Sequence, residues 1–227
     1  MRRSQGAGYH TFVTAEHPTA SVFLPPRFTL RTLEHAAKIC AGCDLHHLGT
    51  QTVFGEGPVP AELMLVGEQP GDREDREGRP FVGPAGALLD AVLSEVGLAR
   101  DQVYLTNAVK HFRWEGMRGK RRLHRKPSMV HVSACRPWLD AEISIVRPET
   151  LVCLGATAAQ AILGRSFRLT EHRGEILDVD GIAPRVAATV HPASILRATS
   201  EGARQEQRAA FVDDLAGIVR SRREIDA

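Results

Sequence analysis

The sequence predicts an α/β fold, a three-layer α/β/α sandwich around a mostly parallel, four-stranded central sheet. Three observations predict it. Short apolar runs alternate with longer segments of helical periodicity, as expected of strands joined by crossover helices. Gly, Pro and Asn bound the runs. Polar motifs follow three of the four runs, where a parallel sheet places its ligand sites, beyond the carboxyl ends of the strands.

In chain order, residues 1–29 are aperiodic and Pro-bearing (HPTASVFLPPRF) and read as an extended or flexible arm, leaving 30–227 as one domain. A short helix is expected over 31–39, ending at the first cysteine. LMLVG at 63–67 reads as a buried strand, and PAGALLDAVLSEVG at 84–97 as an amphipathic helix opening with Pro84 and closing at Gly97. VYLTNA at 103–108 is a second strand, followed over 110–128 by a polar, basic loop. A helix over 129–146, a third strand TLVCLG at 150–155, a helix over 156–164, a fourth strand RVAATVH at 185–191 and a helix from about 204 to 222 complete the pattern. GEQPGD follows the first strand, Asn107 ends the second, and His191-Pro192 ends the fourth.

Composition narrows the class. An apolar content of 43% argues against disorder or a fibrous fold. No apolar run approaches the roughly 18–20 residues of a membrane helix, and no apolar h-region follows MRRSQGAGYH, so a cytoplasmic protein is expected. The net charge of +2 conceals an asymmetry. RGKRRLHRK at 118–126 holds six of the 29 Lys and Arg, leaving 23 basic against 27 acidic residues elsewhere. One basic loop on a mildly acidic body suits a local phosphate contact, although many such runs are merely solvated.

Four cysteines stand as a C-x2-C pair, Cys40 and Cys43, and two distant singles, Cys135 and Cys153. Disulfides are disfavoured in a reducing compartment, and a structural zinc site usually shows two close pairs. A pair plus two singles suits a [4Fe–4S] cluster of structural role. The competing reading keeps Cys135 and Cys153 as ordinary core residues, since cysteine is often buried.

Taken together, GEQPGDREDREGRPFVGPAG at 67–86, TNAVKH at 106–111, KRRLHRKPS at 120–128 and HPAS at 191–194 resemble the UdgX group of uracil-DNA glycosylases, related to the family 4 iron–sulfur enzymes. The resemblance runs from about residue 30 to about 220, with the motifs in order and the cysteines interleaved at the family's ligand positions. It implies the three-layer uracil-DNA glycosylase fold, a [4Fe–4S] cluster on Cys40, Cys43, Cys135 and Cys153, and uracil-containing DNA as partner, with single strands preferred and the protein monomeric.

Such an enzyme extrudes its base into a pocket that reads it and stabilises the leaving anion. Phe81 is then the stacking platform for the base. Asn107 accepts from uracil N3–H and donates to O4. His191 donates to O2 as charge develops there. Gly67, Gly71 and Ser194 line the pocket; Glu68 stabilises a cationic sugar or orients a nucleophile; Asp72 assists in the same loop. Gln69, where ordinary members carry a smaller residue, marks the subgroup. The KRR-x-H loop appears as Lys120-Arg121-Arg122-Leu123-His124, whose basic residues are expected to draw in phosphates and clamp the loop. The resemblance implies that neutral His124 captures the sugar C1′ in place of water, with Glu68 holding its opposite ring nitrogen. Three other readings compete: a multiple-turnover family 4 enzyme, a non-catalytic iron–sulfur nucleic-acid module, and a nucleotide-phosphate site on GEQPG, the last weakened by the absence of a Walker lysine.

Overall fold

A computed structural model describes residues 19–223. A five-stranded sheet has the order β2-β1-β5-β7-β6, built from β1 (Leu63–Gly67), β2 (Val103–Asn107), β5 (Thr150–Leu154), β6 (Ile176–Val179) and β7 (Ala183–Thr189). β2, β1, β5 and β7 are mutually parallel. β6 joins the edge antiparallel to β7, so the sheet is mixed and has one strand more than the expected four. ILDV is too short and too polar for a legible pattern, and only pairing with β7 makes it a strand.

β1, β2 and β5 are buried at every position, the mark of central parallel strands covered on both faces. Side chains alternate between two apolar layers. Met64, Val66, Tyr104, Leu151, Cys153 and Val186 point to one layer, where α1 (Leu30–Ala37), α4 (Met129–Val146) and α5 (Ala156–Leu163) pack. Leu63, Leu65, Leu105, Val152 and Leu154 point to the other, filled by α3 (Pro84–Glu95) and α7 (Glu201–Arg223). This is the expected three-layer arrangement.

Two short helices escape the sequence pattern. α2 (Asp72–Glu77) is polar throughout and ends on Gly78 at φ 71°, and α6 (Pro192–Ile195) is a single turn. The expected 110–128 loop contains an antiparallel hairpin, β3 (Trp114–Arg118) and β4 (Arg121–His124). Of the predicted arm, residues 1–18 lie outside the described residues. Residues 20–23 form a 3-10 turn that buries Ala20, and a Cβ on Gly42 would stand 2.7 Å from the Ala20 nitrogen.

Candidate active site

The carboxyl ends of β1, β2, β5 and β7 meet at one rim. Gly67 and Asn107 face each other in register, and a Cβ at Gly67 would lie 2.3 Å from Asn107 Oδ1 and 2.7 Å from Phe81 Cζ. Glycine is therefore required where the carboxamide and the aromatic ring converge. Asn107 is buried, and among the described residues its carboxamide makes no hydrogen bond to protein, leaving donor and acceptor free.

Phe81 adopts φ 53°, a left-handed conformation costly for a residue with a side chain. The surrounding loop enforces it. Arg100 donates to the carbonyls of Pro80 at 2.7 Å and Phe81 at 3.0 Å, and Gly86 leaves room where a Cβ would fall 1.8 Å from the Phe81 oxygen. Glu74 accepts from Gly83 N at 2.8 Å and braces the same loop. The sequence reading does not single out Arg100, which lies outside the motifs, or Glu74, which lies within the 67–86 motif among seven other charged residues.

His191 caps α6: its Nδ1 accepts from Ala193 N at 3.1 Å, which places the proton of the neutral ring on Nε2. Burial, with Arg197 and His124 nearby, pushes its pKa down to about 4, so the ring is a neutral donor at pH 7. It stacks beside Phe81, centroids 6.0 Å apart at 24°. Ser194 donates Oγ–H to the His191 carbonyl at 2.7 Å and stiffens this turn.

Glu68 follows β1 and accepts from Thr157 Oγ1 at the start of α5. Its Oε1 lies 3.5 Å from His124 Nε2. A carboxylate at that distance favours the N–H tautomer at Nε2, which leaves the lone pair on the opposite ring nitrogen. A hydrogen bond of His124 to its own backbone favours the charged ring. Burial lowers the His124 pKa, against the pull of Glu68, although the side chain retains 43% exposure.

The hairpin that carries His124 is anchored from beneath. Gln69 donates to the carbonyls of Arg113 and Arg125, each at 3.1 Å, and accepts from Arg113 N at 3.1 Å, gripping both ends of the hairpin. Arg122 is nearly buried: it pairs with Asp72 at 2.5 Å and Asp75 at 2.8 Å, and its guanidinium lies over the rings of Phe112 and Trp114. Asp72, held below the usual carboxylate range by Arg122 and Arg76 against the opposing effect of burial, is committed to that anchor. Of the basic residues expected to meet phosphates, Arg122 is internal, while Lys120 and Arg121 are exposed. Gly71 is the N-cap of α2, where a Cβ would meet Glu74 Oε2 at 2.6 Å.

The cysteines share the α1/α4 layer. Trp138 Nε1–H donates to Cys40 Sγ and Lys110 N–H to Cys135 Sγ, both at 3.2 Å. Burial, the largest cause, raises Cys43 and brings Cys135 to about 12, and Cys40 is near enough to add to both rises. Cys153 is fully buried on β5, and burial raises its pKa. Among the described residues no three His, Cys, Asp or Glu side chains stand close enough for a single metal ion. N–H donors aimed at the sulfurs of Cys40 and Cys135 suit thiolates that ligate a cluster, and Cys43 and Cys153 line the same layer.

Comparison with known proteins agrees with this geometry. Residues 54–216 match the family model of the Uracil DNA glycosylase superfamily. A type-4 uracil-DNA glycosylase of Thermotoga maritima is 37% identical over 177 residues, 78% of this chain and 88% of the relative. One from Pyrobaculum aerophilum is 36% identical over 174 residues, 74% of this chain and 85% of its own. A type-5 uracil-DNA glycosylase of the same organism is 31% identical over 157 residues, 61% of this chain and 64% of the relative. With a matched model across most of the chain and relatives aligned over most of their length, the protein belongs to the uracil DNA glycosylase superfamily.

Proposed function

We propose that this protein excises uracil from DNA and is then captured by it, through a bond between His124 and the sugar C1′. The observation that carries the capture is the placement of His124 Nε2 3.5 Å from Glu68 at the strand-end rim. The extruded base stacks on Phe81, and Asn107 reads its N3–H and O4. As the C1′–N1 bond breaks, the electron pair leaves with uracil, and His191 Nε2–H donates to the O2 on which charge gathers. One such donor contributes about 2.7–4 kcal/mol.

Glu68 stabilises the positive sugar. The lone pair of the His124 ring nitrogen opposite Glu68 then bonds C1′ in place of water. The resulting imidazolium keeps its proton on the nitrogen that Glu68 faces, and Glu68 offsets its charge. Burial favours the neutral nucleophile at pH 7.

Cys40, Cys43, Cys135 and Cys153 would hold the [4Fe–4S] cluster, which supplies a structural cross-link between the C-x2-C segment, α4 and β5. Purified protein should be brown and contain iron; iron-free, colourless protein with a native fold would remove the cluster from this reading.

The type-4 relatives favour a second reading, ordinary turnover with water as nucleophile. Incubation with a single-stranded oligonucleotide carrying one uracil, followed by heating in detergent, separates the two. Capture predicts uracil release with a protein–DNA band that survives denaturation. Release with complete separation of protein and DNA leaves the glycosylase and abolishes the capture. His124→Ser should lose the adduct and gain turnover, because the smaller side chain admits water.

A further inference from the structure

Lys110 and Glu142 form an ion pair with side-chain exposures of 1% and 0%, in the core beneath the site. Glu142 also accepts from Tyr104 OH at 3.1 Å, Thr106 Oγ1 at 3.0 Å and Gly55 N at 2.9 Å. Stability alone does not explain such a pair, since apolar residues of similar volume are often equally stabilising. Its geometry has another use. Besides Glu142, the Lys110 ammonium donates to Thr106 Oγ1 at 2.7 Å and to the Asn107 carbonyl at 2.8 Å. The N–H of that same peptide plane, Ala108 N, donates to Gly67 O at 2.9 Å. Both polar ends of the plane leaving Asn107 are therefore fixed, and with them the direction of its Cα–Cβ bond.

We infer that Lys110, held by Glu142 and Thr106, is the positioning residue that aims the Asn107 carboxamide into the uracil pocket. No protein group holds the carboxamide itself among the described residues, so its aim depends on the backbone that Lys110 secures. The inference rests on the proposed reading role of Asn107.

The test is a double-mutant cycle on the single-turnover rate of uracil release from a single-stranded oligonucleotide. Lys110→Met with Glu142→Leu removes the pair without stranding a buried charge. This variant should keep a Tm near the parent's and lose roughly 10²-fold in rate, a loss that should vanish on the Asn107→Ala background. A role in stability alone would give losses that multiply with Asn107→Ala, and that result, or a parental rate in the pair-removed variant, overturns the inference. Should the pair-removed protein not fold, Thr106→Val cuts the link more gently; a smaller loss that again vanishes on the Asn107→Ala background supports the inference, and a multiplying loss or none overturns it. A parental rate for Asn107→Ala itself refutes the reading role and this inference together, whereas an inactive Asn107→Ala beside a fully active pair-removed variant refutes the positioning alone.

Discussion

At the scale of single residues, the site depends on small groups that leave space and on imidazoles kept neutral. Gly67→Ala would drive a methyl into Asn107 Oδ1 and Phe81 Cζ, both on the pocket floor. Uracil release should fall roughly 10²-fold while the circular dichroism spectrum stays native. Protonation of His124 removes its lone pair, and burial holds its pKa below the ordinary 6.5. The rate of adduct formation should therefore stay flat from pH 8 to about 6.5 and fall only below that value; an acid limb already falling at pH 7 would contradict the neutral-nucleophile reading. Glu68, Asn107, Phe81 and His191 were legible in the sequence because each lies in a motif at a strand end. Arg100 and Thr157 were not, because their partners Phe81 and Glu68 lie well away along the chain, and Glu74 was not, because its bond to Gly83 N exists only once the loop is folded.

At the scale of elements, the hairpin β3–β4 is the segment most dependent on its surroundings. Its sequence, WEGMRGKRRLH, lacks apolar alternation, so nothing local specifies a strand pair. Tertiary anchors supply the specification: Gln69 through three hydrogen bonds and Arg122 through two carboxylates. Gln69→Ala removes bonds worth about 0.5–1.5 kcal/mol each, and backbone amides of 114–124 should exchange faster with little change at the central strands. Adduct yield should fall more than uracil release, because the hairpin carries the nucleophile and the recognition groups stand elsewhere. Equal losses of both would show that the hairpin does not act separately. The same anchoring accounts for the departure from the expected phosphate clamp: an arginine shared by Asp72 and Asp75 is spent on holding β4 to α2.

At the scale of the whole molecule, two buried imidazoles couple stability to pH. His111 and His191 both have pKa values lowered to about 4, chiefly by burial. The unfolded chain, with ordinary values near 6.5, therefore binds more protons than the folded one between pH 6.5 and about 4. Stability is full above that window, falls as pH drops through it by up to roughly 1.4 kcal/mol per pH unit for each group, and levels below it with respect to these two. Urea midpoints across pH 4–8 check this, and the dependence should shrink in His111→Asn. Each of the two apolar layers takes alternate side chains from the same strands, so cavities in either weaken the whole sheet. Leu65→Ala, under α3, should cost about 2–5 kcal/mol of unfolding free energy.

By itself the sequence determined the α/β/α layering, the parallel core strands and the strand-end motifs, because apolar periodicity and strand-end position are local properties of the chain. Only the tertiary structure decided the edge strand β6, the hairpin under His124, the nitrogen that faces Glu68, and the course of the Lys110–Glu142 pair behind Asn107. Apart from β6, which pairs with its neighbour in the chain, those features come from groups distant in sequence meeting in a low-dielectric interior, where a hydrogen bond left unmade is costly. No periodicity along the chain records which distant partner will satisfy it.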